Sequence, residues 1–159
     1  MNLFPHFLIT AVAATISSSP GVAAEQEPLP LQGSTEVLSF ITDEGSWLSI
    51  DVMPKGDSLV FDLLGDLYRL PIDGGEAIRI TSGLGYDSQP AISPDGEQIA
   101  FISDRDGATN LWVADIDGTD ARQLSSERHA GMISPQWSSD GNYLIVTRVA
   151  TDTELVMFH

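Results

Sequence analysis

Two aspartate-rich segments are the parts of this sequence whose spacing could hold a metal ion: Asp104–Gly107 (Asp-Arg-Asp-Gly) and Asp115–Asp120 (Asp-Ile-Asp-Gly-Thr-Asp). A calcium loop of the EF-hand type needs glycine at its sixth position and glutamate at its twelfth. Neither segment has them, because the sixth and twelfth residues are Thr109 and Asp115 in the first segment and Asp120 and Ser126 in the second. We interpret both segments as hairpin turns, in which aspartate accepts local hydrogen bonds.

Histidines and loop serines are the other side chains that could take part in catalysis. No two histidines form a His-x-His pair, and the Gly-x-Ser-x-Gly sequence of serine hydrolases is absent. The sequence places no general base beside the loop serines. We interpret the internal histidine as a solvated loop residue. The residues considered are His6, His129, His159, Ser88, Ser125 and Ser134. We therefore predict no catalytic, cofactor-binding or metal-binding residue in this chain.

The three tryptophans could stack on a ligand or pack in the core. Trp112 and Trp137 lie within apolar segments typical of strands, and Trp47 lies just ahead of the first repeat described below. Buried aromatic side chains contribute large apolar areas to a core. We interpret all three as core residues, packed between neighbouring sheets.

Composition and charge limit the classes of partner. The chain has 159 residues, of which 42% are hydrophobic, and it carries 23 acidic against seven basic side chains, for a net charge of −16. Such a charge repels phosphate backbones, so we exclude nucleic-acid binding. The absence of cysteine excludes disulfides, thiolate metal sites and a cysteine nucleophile.

The N-terminus has the pattern of an export signal. A short apolar run, Phe7–Ile16, is followed by turn-prone residues and by the small residues Val22–Ala24. We predict a signal peptide over residues 1–24, cleaved before Glu25, then a linker over 25–36, and a periplasmic or secreted location. The segment before the apolar run lacks lysine and arginine, so an uncleaved anchor and a cytosolic start remain as alternatives. No later stretch is apolar enough to span a membrane, which takes about 20 residues.

The remainder of the chain is a repeat. Its turn glycines, Gly56, Gly96 and Gly141, are spaced by 40 and 45 residues, the period of a four-stranded propeller blade. Between the turns lie apolar runs of four to six residues, rich in β-branched and aromatic side chains, which predict strands. We predict an all-β chain with blade 1 at 37–82, blade 2 at 83–126 and an incomplete blade 3 at 127–159.

The motifs within these repeats resemble those of a known family. The segments Gln89–Gly96 (Gln-Pro-Ala-Ile-Ser-Pro-Asp-Gly), Ile99–Gly107 and Asn110–Val113, followed by Asp117–Gly118, resemble the TolB-type β-propeller repeat. That repeat also occurs in tricorn-like proteases and in relatives of prolyl oligopeptidase. Residues 42–84 resemble most closely the first blade of the propeller that precedes the barrel of exported amidohydrolases.

The resemblance implies a role in binding rather than in chemistry. We expect about two and a half to three four-stranded blades, and therefore a fragment of a longer polypeptide whose remaining blades would be its first partner. The parent would be a metal-dependent amidohydrolase, with a divalent metal in its downstream domain, and this propeller would control access of an amide or peptide substrate. The alternatives are a stand-alone periplasmic module that binds proteins, as TolB does, and the propeller of an exported prolyl-oligopeptidase-like peptidase.

Overall fold

The computed structural model describes residues 7–10 and 38–159. The rest of the predicted signal peptide and the predicted linker over 25–36 lie outside the described residues. Every regular element of the described residues is a β-strand. The strands are β1 Phe7–Thr10, β2 Ser39–Thr42, β3 Ile50–Val52, β4 Ser58–Leu63, β5 Asp66–Pro71, β6 Ile78–Arg79, β7 Ser88–Ile92, β8 Gln98–Ser103, β9 Asn110–Asp115, β10 Arg122–Gln123, β11 Gly131–Trp137, β12 Leu144–Val149 and β13 Thr153–Phe158.

The strands form separate antiparallel sheets in chain order. The first blade is β3-β4-β5-β6, the second is β7-β8-β9-β10 and the third is β11-β12-β13, while β1 pairs with β2. Such consecutive four-stranded sheets are the units of a β-propeller. The predicted all-β, partial-propeller fold is confirmed, whereas the blade boundaries given above stay predictions. None of the described residues belongs to a helix long and apolar enough to cross a membrane.

The first hairpin of each blade shows why serine, aspartate and glycine recur. In the second blade the Ser93 hydroxyl donates to Asp95 at 2.6 Å and accepts the Gln98 backbone N–H at 2.9 Å. Gly96 takes a φ of 78°, which few other residues adopt. The third blade repeats this turn with Ser138, Asp140 and Gly141, whereas the first blade has Met53 in place of the serine. The glycine turn survives there without the serine–aspartate pair.

Packing between blades makes the core. Strand β8 alternates its side chains between two neighbours, and both of its faces are buried. Ile99 and Phe101 pack toward the first blade, against a group that includes Val60 and Leu67. On the opposite face, Ala100 and Ile102 pack toward Met132, Leu144 and Val146 of the third blade. The second blade is therefore covered on both sides.

The buried interface between the first two blades predicts a large effect of truncation. Leu67 is 0% exposed, so Leu67→Ala should lower the free energy of unfolding by about 2–5 kcal/mol through lost burial and a residual cavity. Leu84→Ala is the matched control, since Leu84 is 67% exposed, and it should change stability by less than about 0.5 kcal/mol. Urea unfolding measures both. Equal effects of the two substitutions would contradict this packing.

Candidate binding site at the inner strands

The first strands of the three blades lie next to one another. Strand β7 contacts both β3 and β11, so these three are the innermost strands around the propeller axis. Where they approach each other they leave an open depression of about 190 Å³. We call this depression the mouth. Its lining comes from corresponding positions of the three blades: Ser49, Ile50, Gln89, Pro90, Ser134, Pro135 and Gln136.

The backbone at the mouth is strained at two corresponding positions. Gln89 has a φ of 53° and Ser134 a φ of 55°, each is followed by proline, and each lies at a β-bulge where the strand register shifts. Left-handed conformations of residues other than glycine cost on the order of 1–3 kcal/mol and persist only where the surrounding structure holds them. Contacts between the blades must therefore stabilise these two residues.

A chain of hydrogen bonds supplies that stabilisation. The carboxylate of Asp62, in β4, accepts the backbone N–H of Ser49 at its Oδ1 atom and the backbone N–H of Gln89 at its Oδ2 atom, both at 2.9 Å. The Gln89 side-chain oxygen then accepts the backbone N–H of Ser134 at 2.6 Å. Asp62 is buried, so each of its carboxylate oxygens takes the place of water as the hydrogen-bond acceptor of one backbone N–H. One aspartate and one glutamine thus link the inner strands of all three blades.

Two further bonds tie the same strands together. Asp51 Oδ2 accepts the Ile92 backbone N–H at 2.8 Å, which joins the first and second blades. The indole Nε1–H of Trp137 donates to the Ala91 carbonyl at 3.0 Å, which joins the second and third. Each neighbouring pair of blades therefore has a side-chain-to-backbone bond in addition to its apolar packing. The mouth is preorganised, because its walls are fixed before any ligand arrives.

The chemistry offered by the mouth is hydrogen bonding. Its lining carries the amide side chain of Gln136, the hydroxyls of Ser49 and Ser134 and the surrounding backbone groups. A peptide or an amide presents donors and acceptors that match such groups. Among residues 7–10 and 38–159 no cluster of three or more histidine, aspartate or glutamate side chains is placed to hold a metal ion.

The structure places the aspartate-rich segments in hairpin turns. Asp117 Oδ1 accepts the N–H and the hydroxyl of Thr119, and these bonds lower the pKa of the Asp117 carboxyl, the hydroxyl bond having the larger effect. Asp104 Oδ1 accepts the backbone N–H of Tyr86 at 2.7 Å. Asp106 accepts hydrogen bonds from the side-chain amides of Asn110 and Gln123. The carboxylates of these three aspartates thus accept hydrogen bonds from donors of the protein itself.

The histidine and serines considered from the sequence lie apart from one another. His129 is exposed in the loop between β10 and β11. Ser125 is buried, where its hydroxyl donates to the Asn110 side chain and accepts the Leu111 N–H. Ser88 begins β7, and Ser134 lines the mouth. Within residues 38–159 none of these serines is hydrogen-bonded to His129, and their assignment as non-catalytic stays a prediction.

The tryptophans divide into two groups. Trp112 and Trp137 pack against the apolar clusters on either side of the second blade, as predicted. The core position predicted for Trp47 is wrong, since this residue is 97% exposed and has a φ of 60°. Trp47 precedes β3 in a segment without regular structure, and none of the described strands covers it. Proximity in sequence to an apolar strand was therefore a misleading signal.

A buried ion pair lies at the junction between the first and second blades. Asp87 is almost fully buried, its backbone N–H donates to the Gly65 carbonyl, and its Oδ2 is 2.5 Å from the Arg105 guanidinium. Arg105 also lies over the rings of Phe101 and Trp112, about 5 Å from each centroid. This pair is structural, because it joins a blade junction to the β8–β9 turn.

Sequence reasoning missed the residues that build the mouth. Asp62 lies in an otherwise apolar run, and a polar side chain in such a run signals a buried hydrogen bond. Gln89 and Ser134 each precede a proline in corresponding repeats, which signals an unusual backbone. Neither signal identifies the hydrogen-bonding partner, because the bonded residues lie 27 and 45 residues apart in the sequence.

Consecutive antiparallel sheets whose first strands lie side by side around one axis define a β-propeller protein. The family model for the tricorn protease N-terminal β-propeller domain matches residues 51–157. The chain therefore belongs to that family.

Individual relatives agree with this assignment. The chain is 36% identical over 97 residues to tricorn protease homolog 1 of Streptomyces coelicolor, covering 59% of this chain and 9% of the homolog. It is 39% identical over 74 residues to the uncharacterized peptidase YuxL of Bacillus subtilis, covering 46% and 11%. A solved structure of a TolB-type protein from Agrobacterium tumefaciens has the same fold, with a TM-score of 0.64 at 22% identity, over 76% of this chain and 48% of that one. The chain thus spans about a tenth of these two curated relatives.

The hydrogen-bond chain predicts a cost for altering Asp62. Asp62→Asn replaces one accepting oxygen by a donor, which leaves the Ser49 or the Gln89 N–H unsatisfied. We expect the free energy of unfolding to fall by about 1–3 kcal/mol. Asp73→Asn makes the same chemical change at an exposed turn position and should alter stability by less than about 0.5 kcal/mol. Urea unfolding of both variants measures this difference. An unchanged unfolding midpoint for Asp62→Asn would contradict the structural role of this carboxylate.

The third-blade turn predicts a pH dependence. Hydrogen bonds from the Ser138 hydroxyl and from Asn142 lower the pKa of the Asp140 carboxyl from 3.8 to about 2. Because the pKa is lower in the folded chain, Asp140 stabilises the fold above its ordinary pKa, and that contribution is lost as the pH falls toward 2. Ser138→Ala should return the Asp140 pKa toward 3.8, as measured by carboxyl carbon NMR. Ser139→Ala is the control in the same turn and should leave the low pKa in place.

Proposed function

We propose that this chain is the propeller part of an exported hydrolase that cleaves amide or peptide bonds. In this role the propeller binds or admits substrate and does none of the chemistry itself. The observation that carries the proposal is the mouth, a polar depression whose strained walls are fixed by hydrogen bonds between blades. Strained, preorganised backbone is typical of binding sites, because only contacts from the surrounding structure keep it in place.

The relatives support a hydrolase as the parent. Two of the proteins that this chain matches are named as a protease homolog and as a peptidase, and it covers 9% and 11% of their lengths. By analogy, the catalytic groups of this protein would lie in a domain beyond the propeller.

Two catalytic classes fit this proposal. The first-blade segment, residues 42–84, resembles that of exported amidohydrolases and favours a downstream barrel with a divalent metal. The similarity to tricorn and peptidase relatives favours a serine peptidase domain instead. The coding sequence beyond His159 distinguishes them, since His-x-His after further blades indicates the first class and Gly-x-Ser-x-Gly the second. A stand-alone, TolB-like module that binds proteins is the remaining alternative, and a stop codon after ring closure would indicate it.

The location and the partners follow from the same proposal. A cleaved signal over residues 1–24 would deliver the protein to the periplasm or the medium. There the propeller would meet peptide or amide substrates, and its net charge of −16 would favour cationic over anionic ones. Its remaining contacts would be with further parts of its own polypeptide.

Narrowing the mouth tests the proposed role in the full-length hydrolase. Gln136 is exposed at the mouth, so Gln136→Trp should obstruct it without disturbing the core. We expect kcat/KM for a long peptide to fall about tenfold or more, while kcat/KM for a small chromogenic amide stays unchanged. Ser126→Trp, in an exposed loop, is the control and should affect neither substrate. Equal kinetics of the two variants on the long peptide would refute a role of the mouth in substrate access.

A further inference from the structure

Leucine is an unusual residue for the turn between β4 and β5. Leu64 and Gly65 alone join these strands, and both have a positive φ, of 54° and 86°. A two-residue hairpin loop of this kind favours Asn-Gly or Asp-Gly, because a bulky side chain disfavours the left-handed conformation. Leu64 is also 67% exposed, so burial does not offset that cost. Its side chain therefore does little for folding, which points to a role in binding.

Trp47 combines strain and exposure in the same way. Its φ is 60°, and it is 97% exposed. It lies at the same end of the fold as Leu64, because Ser49, two residues after it, is hydrogen-bonded to Asp62, two residues before Leu64. Ser49 also lines the mouth. Two strained, exposed apolar side chains thus lie at the mouth end of the first blade.

The segment that leads from the first blade into β7 adds two more apolar side chains. Leu84 is 67% and Tyr86 60% exposed. A methyl group at Gly65 would lie 3.3 Å from the Tyr86 ring, so the tyrosine lies against the β4–β5 turn. The Tyr86 N–H donates to Asp104 at 2.7 Å, and the Asp87 N–H donates to the Gly65 carbonyl at 2.8 Å, so the segment is held in place. The mouth-end apolar group, as we call it, consists of Trp47, Leu64, Leu84 and Tyr86.

The charge around this group is negative. Asp104 and Asp106, in the adjoining β8–β9 turn, are exposed, and no lysine or arginine of residues 38–159 forms an ion pair with either. Arg105, in the same turn, is already paired with the buried Asp87. Exposed carboxylates attract cationic partners and repel anionic ones, such as acidic lipid surfaces. The partner that fits is therefore apolar and cationic.

We propose that the mouth-end apolar group anchors basic peptides, in which large apolar side chains stand next to lysine or arginine. The apolar side chains of the peptide pack on the group, and its cationic side chains lie near the carboxylates of the β8–β9 turn. Its backbone reaches the hydrogen-bonding groups of the mouth at the same end of the fold. The inference names a substrate class for the proposed propeller of a hydrolase, and in that sense it rests on the proposed function.

Fluorescence anisotropy with the full-length protein tests the proposal. The probe is a labelled peptide of about ten residues that carries leucine and lysine among glycine and serine. Replacing its lysines by glutamate, or its leucines by alanine, should weaken binding at least about tenfold. Raising sodium chloride from low to physiological concentration should weaken binding of the lysine peptide, because salt screens exposed charges.

Substitutions in the apolar group should weaken binding of the lysine peptide without unfolding the protein. The double substitution Leu64→Asn and Leu84→Ala removes two exposed apolar contacts, and asparagine suits the left-handed turn. We expect its affinity to be at least about tenfold lower. Ile72→Ala is the matched control and should leave the affinity unchanged. It removes an exposed aliphatic side chain at the opposite end of the first blade, where the Ile72 N–H donates to the Asp57 carbonyl.

Equal affinities of the double variant and Ile72→Ala would overturn the proposal, as would equal binding of the lysine and glutamate peptides. Absence of peptide binding, with a lower urea midpoint for the double variant, would also overturn it, because another part of the polypeptide would then cover the group.

Mass spectrometry of the peptide after incubation separates this inference from the proposed function. Binding that needs the apolar group, without cleavage, would support the inference and contradict the proposed hydrolase. Cleavage that is insensitive to the double substitution would support the hydrolase and overturn the inference.

Discussion

A propeller blade is a sheet with two apolar faces, and each face must be covered by another sheet. Among the described residues, the second blade is packed against a neighbouring blade on both sides, and its central strand β8 is the most deeply buried element. This requirement explains the repeat in the sequence, because each blade must present one apolar face to the blade before it and another to the blade after it. The period in the sequence is therefore a consequence of how the sheets cover one another.

The mouth depends on the same packing. Once the apolar faces hold the blades together, their inner strands come close enough for side chains of one blade to bond the backbone of the next. Asp62 and Gln89 make these bonds, and they hold the strained residues at the two bulges in place. Strain alone would be released by a small shift of the strand. The hydrogen bonds and the apolar packing together hold the walls of the mouth in one conformation.

The sequence was sufficient for the fold and insufficient for the site. Glycines at 56, 96 and 141, with apolar runs between them, predicted an all-β propeller, because turns and alternating strands are local properties. The Asp62 contacts could not be predicted, since they depend on which strand of the neighbouring blade faces the carboxylate. Trp47 was assigned to the core by its position before an apolar strand, yet burial depends on what lies opposite, and in the structure it is exposed. Local patterns determine the elements, and the relation between elements determines the site.

Native-state hydrogen exchange on this chain tests whether the covering of both faces of a blade determines its local stability. We expect the backbone amides of β8, Gln98–Ser103, to exchange only through global unfolding. The amides of β12, Leu144–Val149, are hydrogen-bonded in a sheet that is covered on one side, and they should exchange faster through local opening. Equal protection of β8 and β12, or slower exchange in β12, would show that covering both faces of a blade does not determine its stability.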